Sequence, residues 1–264
     1  MDLQLKGKKA LVTGSTAGIG LAIAKSLAQE GAVVFINGRT KSRVEEAIDQ
    51  INKHVENSDL LPAVADFSKK DEVEALVNNI SEVDILVNNV GIFAPKVYDQ
   101  ITDEDWYHMF DVNVMSGIRL SRAFMPKMIK KNWGRIVFIS SESGVQIPED
   151  MIHYGVSKTA QISVARGLAQ ATRGTNVTVN SVLPGSTWSE GAEKYFEELA
   201  KVQCKSVEEV SKGFVKEMRP SCLIERFATT DEVANMVTFL CSPLASATNG
   251  AAIRADGGTV PTIL

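Results

Sequence analysis

Short runs of Val, Ile, Leu and Ala alternate with longer segments of helical spacing along nearly the whole chain, and this alternation restricts the fold more than any other feature of the sequence. Apolar runs predict strands at 10–12, 32–36, 60–65, 84–87, 135–139, 177–183 and 251–254. Between them, helical periodicity and start signals predict helices at 18–29, 42–54, 71–80, 102–131, 154–172 and 231–241. Because the strands are continuous apolar runs, not polar–apolar alternations, they suit a parallel sheet covered by helices on both faces. Right-handed strand–helix–strand crossovers then give a doubly wound α/β sheet. No Pro/Gly/Ser-rich linker or repeat divides the 264 residues, so one domain spanning 1–264 is expected. The break in the rhythm is 186–226, about forty residues of polar helical pattern after the sixth strand. A connection of that length in a compact domain reads as a substrate lid segment.

Composition excludes several classes. A hydrophobic fraction of 44% permits a sizeable core, and a formal net charge of −4 argues against gripping nucleic-acid backbones. Cys204, Cys222 and Cys241 form no CxxC pair and no cluster with the three histidines, so neither a disulfide framework nor a metal site is expected. The first residues lack an apolar signal core, and no stretch reaches the roughly 18 apolar residues of a membrane span. The expectation is a cytoplasmic protein without membrane or nucleic-acid partners.

Thr13-Gly14-Ser15-Thr16-Ala17-Gly18-Ile19-Gly20 joins the first strand to the first helix. Gly14 permits the tight turn, Gly18 lets backbone approach a pyrophosphate, Gly20 allows close packing, and helix-start N–H groups face the phosphates. This is the phosphate turn of a Rossmann-type dinucleotide fold, spaced Gly-x3-Gly-x-Gly. The second strand ends Asn37-Gly38-Arg39, with no acid where NAD-specific folds hold the ribose 2′-hydroxyl. Arg39 instead offers a planar fork suited to a 2′-phosphate, with Lys41 and Arg43 adding to the field, so NADP(H) is expected over NAD(H), which stays possible.

Tyr154-Gly155-Val156-Ser157-Lys158 places a phenol and an ammonium on one helix face. A nearby cation favours phenolate and draws the phenol, ordinarily near 10, toward neutral pH. Tyr154 could then pass a proton to a carbonyl oxygen, or take one from an alcohol, as hydride moves at the adjacent carbon. The strand at 135–139 ends in Ser140-Ser141, Asn88-Asn89-Val90-Gly91 ends another strand, and Asp111-Val112-Asn113-Val114 lies in the long helix. In this order the motifs resemble those of the short-chain dehydrogenase/reductase family over nearly the entire chain.

That resemblance implies roles position by position. Ser15, Thr16 and Ile19 join the three glycines of the cofactor turn, Asp66 meets the adenine, and Asn89 steadies the sheet and lines the cofactor. Asn113 holds a water of the proton relay, and Ser141 orients the carbonyl. Tyr154 is the acid/base, and Lys158 binds the nicotinamide ribose and tunes the phenol. Pro184, Gly185 and Thr187 follow the sixth strand where the family binds the carboxamide. Val90 stands where alanine is usual, Thr187 where an aliphatic residue is usual, and Ser189 where threonine is usual. The resemblance further implies a homotetramer, or a homodimer, built on the helices at 102–131 and 154–172. His153, His54 and His108 read as packing or surface residues, and Trp106, Tyr107 and Phe110 as packing against a neighbour. A small carbonyl or alcohol is the expected substrate, with 3-oxoacyl-(acyl-carrier-protein) reduction as the alternative. A dehydrogenase fold whose chemistry has lapsed into cofactor sensing is the alternative of another class.

Overall fold

The computed structural model describes residues 1–263. Its strands β1 (Lys9–Val12), β2 (Val33–Gly38), β3 (Asp59–Val64), β4 (Ile85–Asn88), β5 (Gly134–Ile139) and β6 (Val177–Pro184) match the apolar runs to within a residue or two. A two-residue strand β7 (Thr187–Trp188), its equal β8 (Ala228–Thr229) and β9 (Ala252–Ala255) complete the set. The main sheet has order β3-β2-β1-β4-β5-β6-β9 and is parallel throughout. The order reverses between β1 and β4, and the carboxyl ends of strands at such a switch point form the crevice where ligands bind in folds of this kind.

Alternate residues of each strand feed two cores. Ala10, Val12, Ile85 and Val137 pack with helices α1 (Gly18–Gln29), α2 (Lys41–Asn52) and α9 (Thr230–Cys241). Leu11, Leu86, Ile136 and Phe138 face the other way, toward α3 (Lys70–Asn79), α5 (Ser116–Lys131) and α6 (Ile152–Ala171). Both faces are therefore apolar, which is why the strands lack alternation. Each fully buried side chain such as Leu120 or Phe124 contributes about 1.5–3 kcal/mol. Pro62 falls in β3, the edge strand, where its missing N–H costs no interior ladder bond.

The expected helix at 102–131 is one continuous helical path with a change of winding inside it. Thr102 and Asp105 form a capping box ahead of α4 (Asp103–Phe110); a π-helical turn, Asp111–Met115, then leads into α5. Such bulges concentrate at functional sites, and this one carries Asn113. The helix expected from Tyr154 begins two residues earlier, at Ile152.

The 186–226 segment forms two helices, α7 (Glu190–Gln203) and α8 (Val207–Met218), over a small core of Phe196, Ala200 and Val210. Its ends are tied together by the parallel pairing of β7 with β8, so the excursion leaves and re-enters the domain at one place.

Candidate active site

The turn after β1 is held from three strands. Asn37 Oδ1 accepts the Gly14 N–H at 2.8 Å, and the Asn37 amide donates to Ala63 O at 2.8 Å. Asn89 Nδ2 donates to Thr13 O at 2.9 Å and Gly14 O at 3.1 Å, while Thr13 Oγ1 accepts from the Asn89 and Val90 amides. Gly14 and Gly18 adopt positive φ, 62° and 56°. A Cβ at Gly20 would lie 2.3 Å from Gly14 O and 2.5 Å from Asn89 Nδ2, so glycine is demanded there by contact with the turn itself.

Ser15 is bonded within the protein. Its N–H donates to Asn37 O, and its hydroxyl donates to Val12 O while accepting from Asn37 N. Both of its donors are engaged inside the protein, so Ser15 locks the turn. Ile19 likewise packs its side chain on the core and can contribute only backbone.

Helix α1 has Ala17 at its N-cap, which supplies no side-chain cap, and no acid in its first turn. Its positive end faces outward uncompensated, as a pyrophosphate requires. The adjoining cleft of about 320 Å³ is lined by Gly14, Thr16, Arg39, Asp66, Asn89 and Gly91, among others. Arg39 is exposed at the cleft edge. The N–H and hydroxyl of Ser68 hold the Asp66 carboxyl below its ordinary range against the opposing effect of burial, with Lys69 and Arg39 adding to the lowering. These residues fit a dinucleotide: glycines where a Cβ would collide, free N–H groups toward the phosphates, and a cation beside the adenosine end. At the far side, Pro184 ends β6, Gly185 lies where a Cβ would sit 2.7 Å from Asp256 O, and Thr187 Oγ1 donates to Gly185 O. Ser189 caps α7 and reaches back to Gly18, its Cβ 3.6 Å from where a Cβ on that glycine would stand.

The chemical end sits where β4 and β5 finish. Asn113 is fully buried; its Oδ1 accepts from Ile92 N at 2.7 Å, and its amide donates to Ile92 O and Ser157 Oγ. Its backbone carbonyl accepts from Gln161 Nε2 at 2.6 Å, which occupies one of the two lone pairs available to a relay water. Lys158 Nζ donates to Ile139 O at 3.0 Å and lies beside Gly91, where a Cβ would approach it to 3.2 Å. Gly91 thus keeps the ammonium open to the cleft. Lys158 Nζ is 5.6 Å from the centre of the Tyr154 ring, and the exposed Phe93 meets that ring edge-on at 6.3 Å.

Electrostatics here run against the expected direction. Burial pushes the Tyr154 phenol up to about 12, with Ser141 beside it pulling downward, Glu142 pushing further up and Arg219 pulling down. Burial also pushes Lys158 down to about 8, opposed by Glu142. Lys158 Nζ is turned to Ile139 O, not to the phenol. The protein's own groups therefore hold Tyr154 as the neutral acid.

Two charges bracket Ser141. Its hydroxyl donates to Glu142 Oε2 at 2.5 Å, and Arg219, beyond the end of α8, donates from Nε to Glu142 Oε1 at 3.0 Å. The pair is buried, with side-chain exposures of 6% for Glu142 and 15% for Arg219.

The family model described as short chain dehydrogenase matches residues 8–200. The chain belongs to that family. Proteins similar to it over its full length include YvaG, an uncharacterised oxidoreductase of Bacillus subtilis (strain 168), 48% identical with 100% of both chains covered. A 3-oxoacyl-[acyl-carrier-protein] reductase of Aquifex aeolicus (strain VF5) is 36% identical, covering 98% of this chain and 99% of its own. Among solved structures, the L-sorbose reductase of Gluconobacter frateurii complexed with NADPH and L-sorbose superposes with a TM-score of 0.94 at 31% identity, with 100% of both chains covered.

Within this short-chain dehydrogenase, Gly14, Thr16, Arg39, Asp66 and Asn89 line one cleft, and Asn113 and Lys158 approach Gly91 at that cleft. Sequence reasoning missed Asn37, whose strand-end position was read only as the absence of an acid. It also missed Glu142 and Arg219; the acid directly after the strand-end serines was the available signal. His153 is buried and meets the Trp106 ring edge-on at 6.0 Å, while His54 is exposed. His108 is exposed and lines the cleft. Among the described residues no His/Cys/Asp/Glu group could hold a metal ion, and no helix is long and apolar enough to cross a membrane.

Proposed function

We propose that this short-chain dehydrogenase is an NADP(H)-dependent oxidoreductase of a small free carbonyl/alcohol pair, with Tyr154 as acid/base. The observation that supports the reading is the approach of Lys158 Nζ and Asn113 Oδ1 to Gly91, which lines the glycine cleft, with the Tyr154 ring beside Lys158 and Ser141 beside the phenol. A bound nicotinamide supplies or accepts the hydride. Gly14, Gly18, Ile19 and Gly20 present the turn and helix start to the pyrophosphate, with Thr16 at the cleft wall. Arg39 takes the 2′-phosphate, Asp66 the adenine, and Pro184, Gly185 and Thr187 the carboxamide end. Asn89 keeps the turn in place. The NADPH complexes among similar structures support the choice of phosphate-bearing cofactor.

In the reducing direction, Tyr154 Oη gives its proton to the carbonyl oxygen. Lys158, held open by Gly91, then faces the phenolate it leaves and the ribose side of the site. Asn113 fixes the Ile92 loop that forms the floor. The 186–226 segment closes the substrate side as a lid. The carrier-protein alternative needs basic residues near the entrance, yet Lys131 ends α5 at the amino ends of the strands, where it pairs with Asp84 Oδ1 at 2.6 Å just before β4, which favours a free small molecule. We further propose a cytoplasmic homotetramer (a homodimer being the alternative), supported by half-buried Met125, Ile129, Val164 and Leu168 on α5 and α6.

The test is oxidation of NADPH and of NADH against a panel: L-sorbose, cyclohexanone, butane-2,3-dione and an acetoacetyl thioester, each with wild type and Tyr154→Phe. Turnover that prefers NADPH and disappears in the variant is expected. Equal inertness of both proteins, with NADPH still bound, would instead support the sensing role.

A further inference from the structure

Arg219 is tied down at one end of its guanidinium and open at the other. Nε donates to Glu142 Oε1 at 3.0 Å, and Nη1 donates to Met218 O at 2.8 Å. A guanidinium carries five N–H donors, so three are left, and Nη2 has no partner among the described residues. The tie leads to the reacting end of the cleft. The other Glu142 oxygen lies 2.5 Å from the Ser141 hydroxyl, and Ser141 is hydrogen-bonded in turn to the Tyr154 phenol. A single carboxylate therefore separates the guanidinium from the serine beside the phenol. Arg219 also lines a cavity of about 600 Å³, together with Lys212, Val215, Lys216, Cys222 and Glu225 among others. Lys212 is committed to Glu208 at 2.8 Å, whereas Lys216 forms no ion pair among the described residues.

An ion pair that served only to hold the 186–226 segment in place would set both arms of the fork on Glu142. Here the contact is through Nε alone, and the Nη side is left for another acceptor. Glu142 also fixes the side chain, so docking an anion there does not cost the ordering of a flexible arm. A carboxylate is planar and singly charged and meets parallel N–H groups with two oxygens. It suits this fork better than a doubly charged phosphate, because Glu142 and Glu225 already offset part of the local positive charge. Resting on the functional reading above, we infer that the substrate is an oxo acid, or the matching hydroxy acid, whose carboxylate docks on the open end of Arg219 while its carbonyl lies against Ser141 and Tyr154. The bridge through Glu142 holds Ser141 Oγ and Arg219 Nε within about 8 Å of each other, a span that suits a short oxo acid.

The probes are acetoacetate, 4-oxopentanoate and 5-oxohexanoate, each beside its methyl ester, which keeps the carbonyl and removes the charge. NADPH oxidation at saturating cofactor gives kcat/KM for acid and ester with the same protein. In the wild type the acid of best-fitting length should be preferred by about ten- to a hundredfold, mostly through KM, the worth of hydrogen bonds to a charged group. In Arg219→Met that ratio should fall to about one. Reading the ratio within each protein cancels whatever a loosened Glu142 does to the chemistry that acid and ester share. Should Arg219→Met fail to fold because Glu142 is left buried without its cation, the double variant Glu142→Gln/Arg219→Met removes both charges and should show the same collapse. A wild-type ratio near one or below at every length, or a preference that survives the loss of Arg219, overturns the inference. Turnover of esters or neutral ketones without preference for the acid overturns the inference alone. Absence of turnover with acids, esters and every other carbonyl of the panel overturns the functional reading, and this inference with it.

Discussion

Gly20→Ala measures how tightly the glycine turn is built. The added methyl would stand 2.3 Å from Gly14 O and 2.5 Å from Asn89 Nδ2, so one side must retreat by roughly 1 Å to restore ordinary contact. Neither neighbour is free to do so. Gly14 carries positive φ and donates to Asn37, and Asn89 is tied to Thr13 O and Gly14 O. Overpacking of this kind costs about 2 kcal/mol, and loss of one amide bond adds about 1 kcal/mol. A total of about 3 kcal/mol lowers Tm by roughly 6–12 °C in a domain of this size. Thermal unfolding without cofactor, followed by circular dichroism, reads the stability. Fluorescence titration with NADPH reads the second consequence, a Kd at least about tenfold weaker, because the N–H groups of the turn move with Gly14. A Tm within about 2 °C of wild type, with NADPH binding unchanged, would refute the packing argument.

Arg39→Ala should weaken NADPH binding by about 1.5–3 kcal/mol, or roughly ten- to a hundredfold, and leave NADH binding unchanged, as titration of both cofactors would show. Acid titration of stability should reveal the ion-paired cap of α9. Arg226 and then the Thr229 N–H hold Glu232 down at about 2. A depressed carboxyl contributes stability above its ordinary value that is lost as pH falls toward the folded one, so Tm should drop between about pH 4 and 2. In Glu232→Gln that drop should shrink; an unchanged acid profile would count against the cap.

The parts of the fold that were legible in sequence are those governed by local periodicity. Strands buried on both faces show as runs, and the amphipathic helices between them show as periods, so a doubly wound sheet follows without tertiary information. The β7–β8 pair is two residues long and carries no period, so only the fold discloses that the segment it closes begins and ends together. The winding change at Asp111–Met115 is equally silent, because apolar spacing continues through it. In the site, residues defined by a short motif could be named from sequence: the glycine turn, Asn89, Tyr154 and Lys158. Those defined by partners far along the chain were not. Glu142 and Arg219 are 77 positions apart, and Arg219 belongs to a segment whose mixed charge reads as a solvated face. At Ser15 the motif position says nothing about which way the hydroxyl turns. Helical spacing sets the distance between the Tyr154 phenol and the Lys158 ammonium but not the burial of either, and burial raises the phenol.

The account rests on a phenol at Tyr154 passing a proton while hydride crosses from nicotinamide to substrate carbon. Its most direct test is deuterium transfer from NADPH labelled at the nicotinamide C4 to the carbinol carbon of the product, read by mass spectrometry in wild type and in Tyr154→Phe. Label in the wild-type product, with a rate lowered about 10²–10⁴-fold in the variant and NADPH affinity unchanged, is the predicted result. Equal rates of label transfer in the two proteins would contradict it.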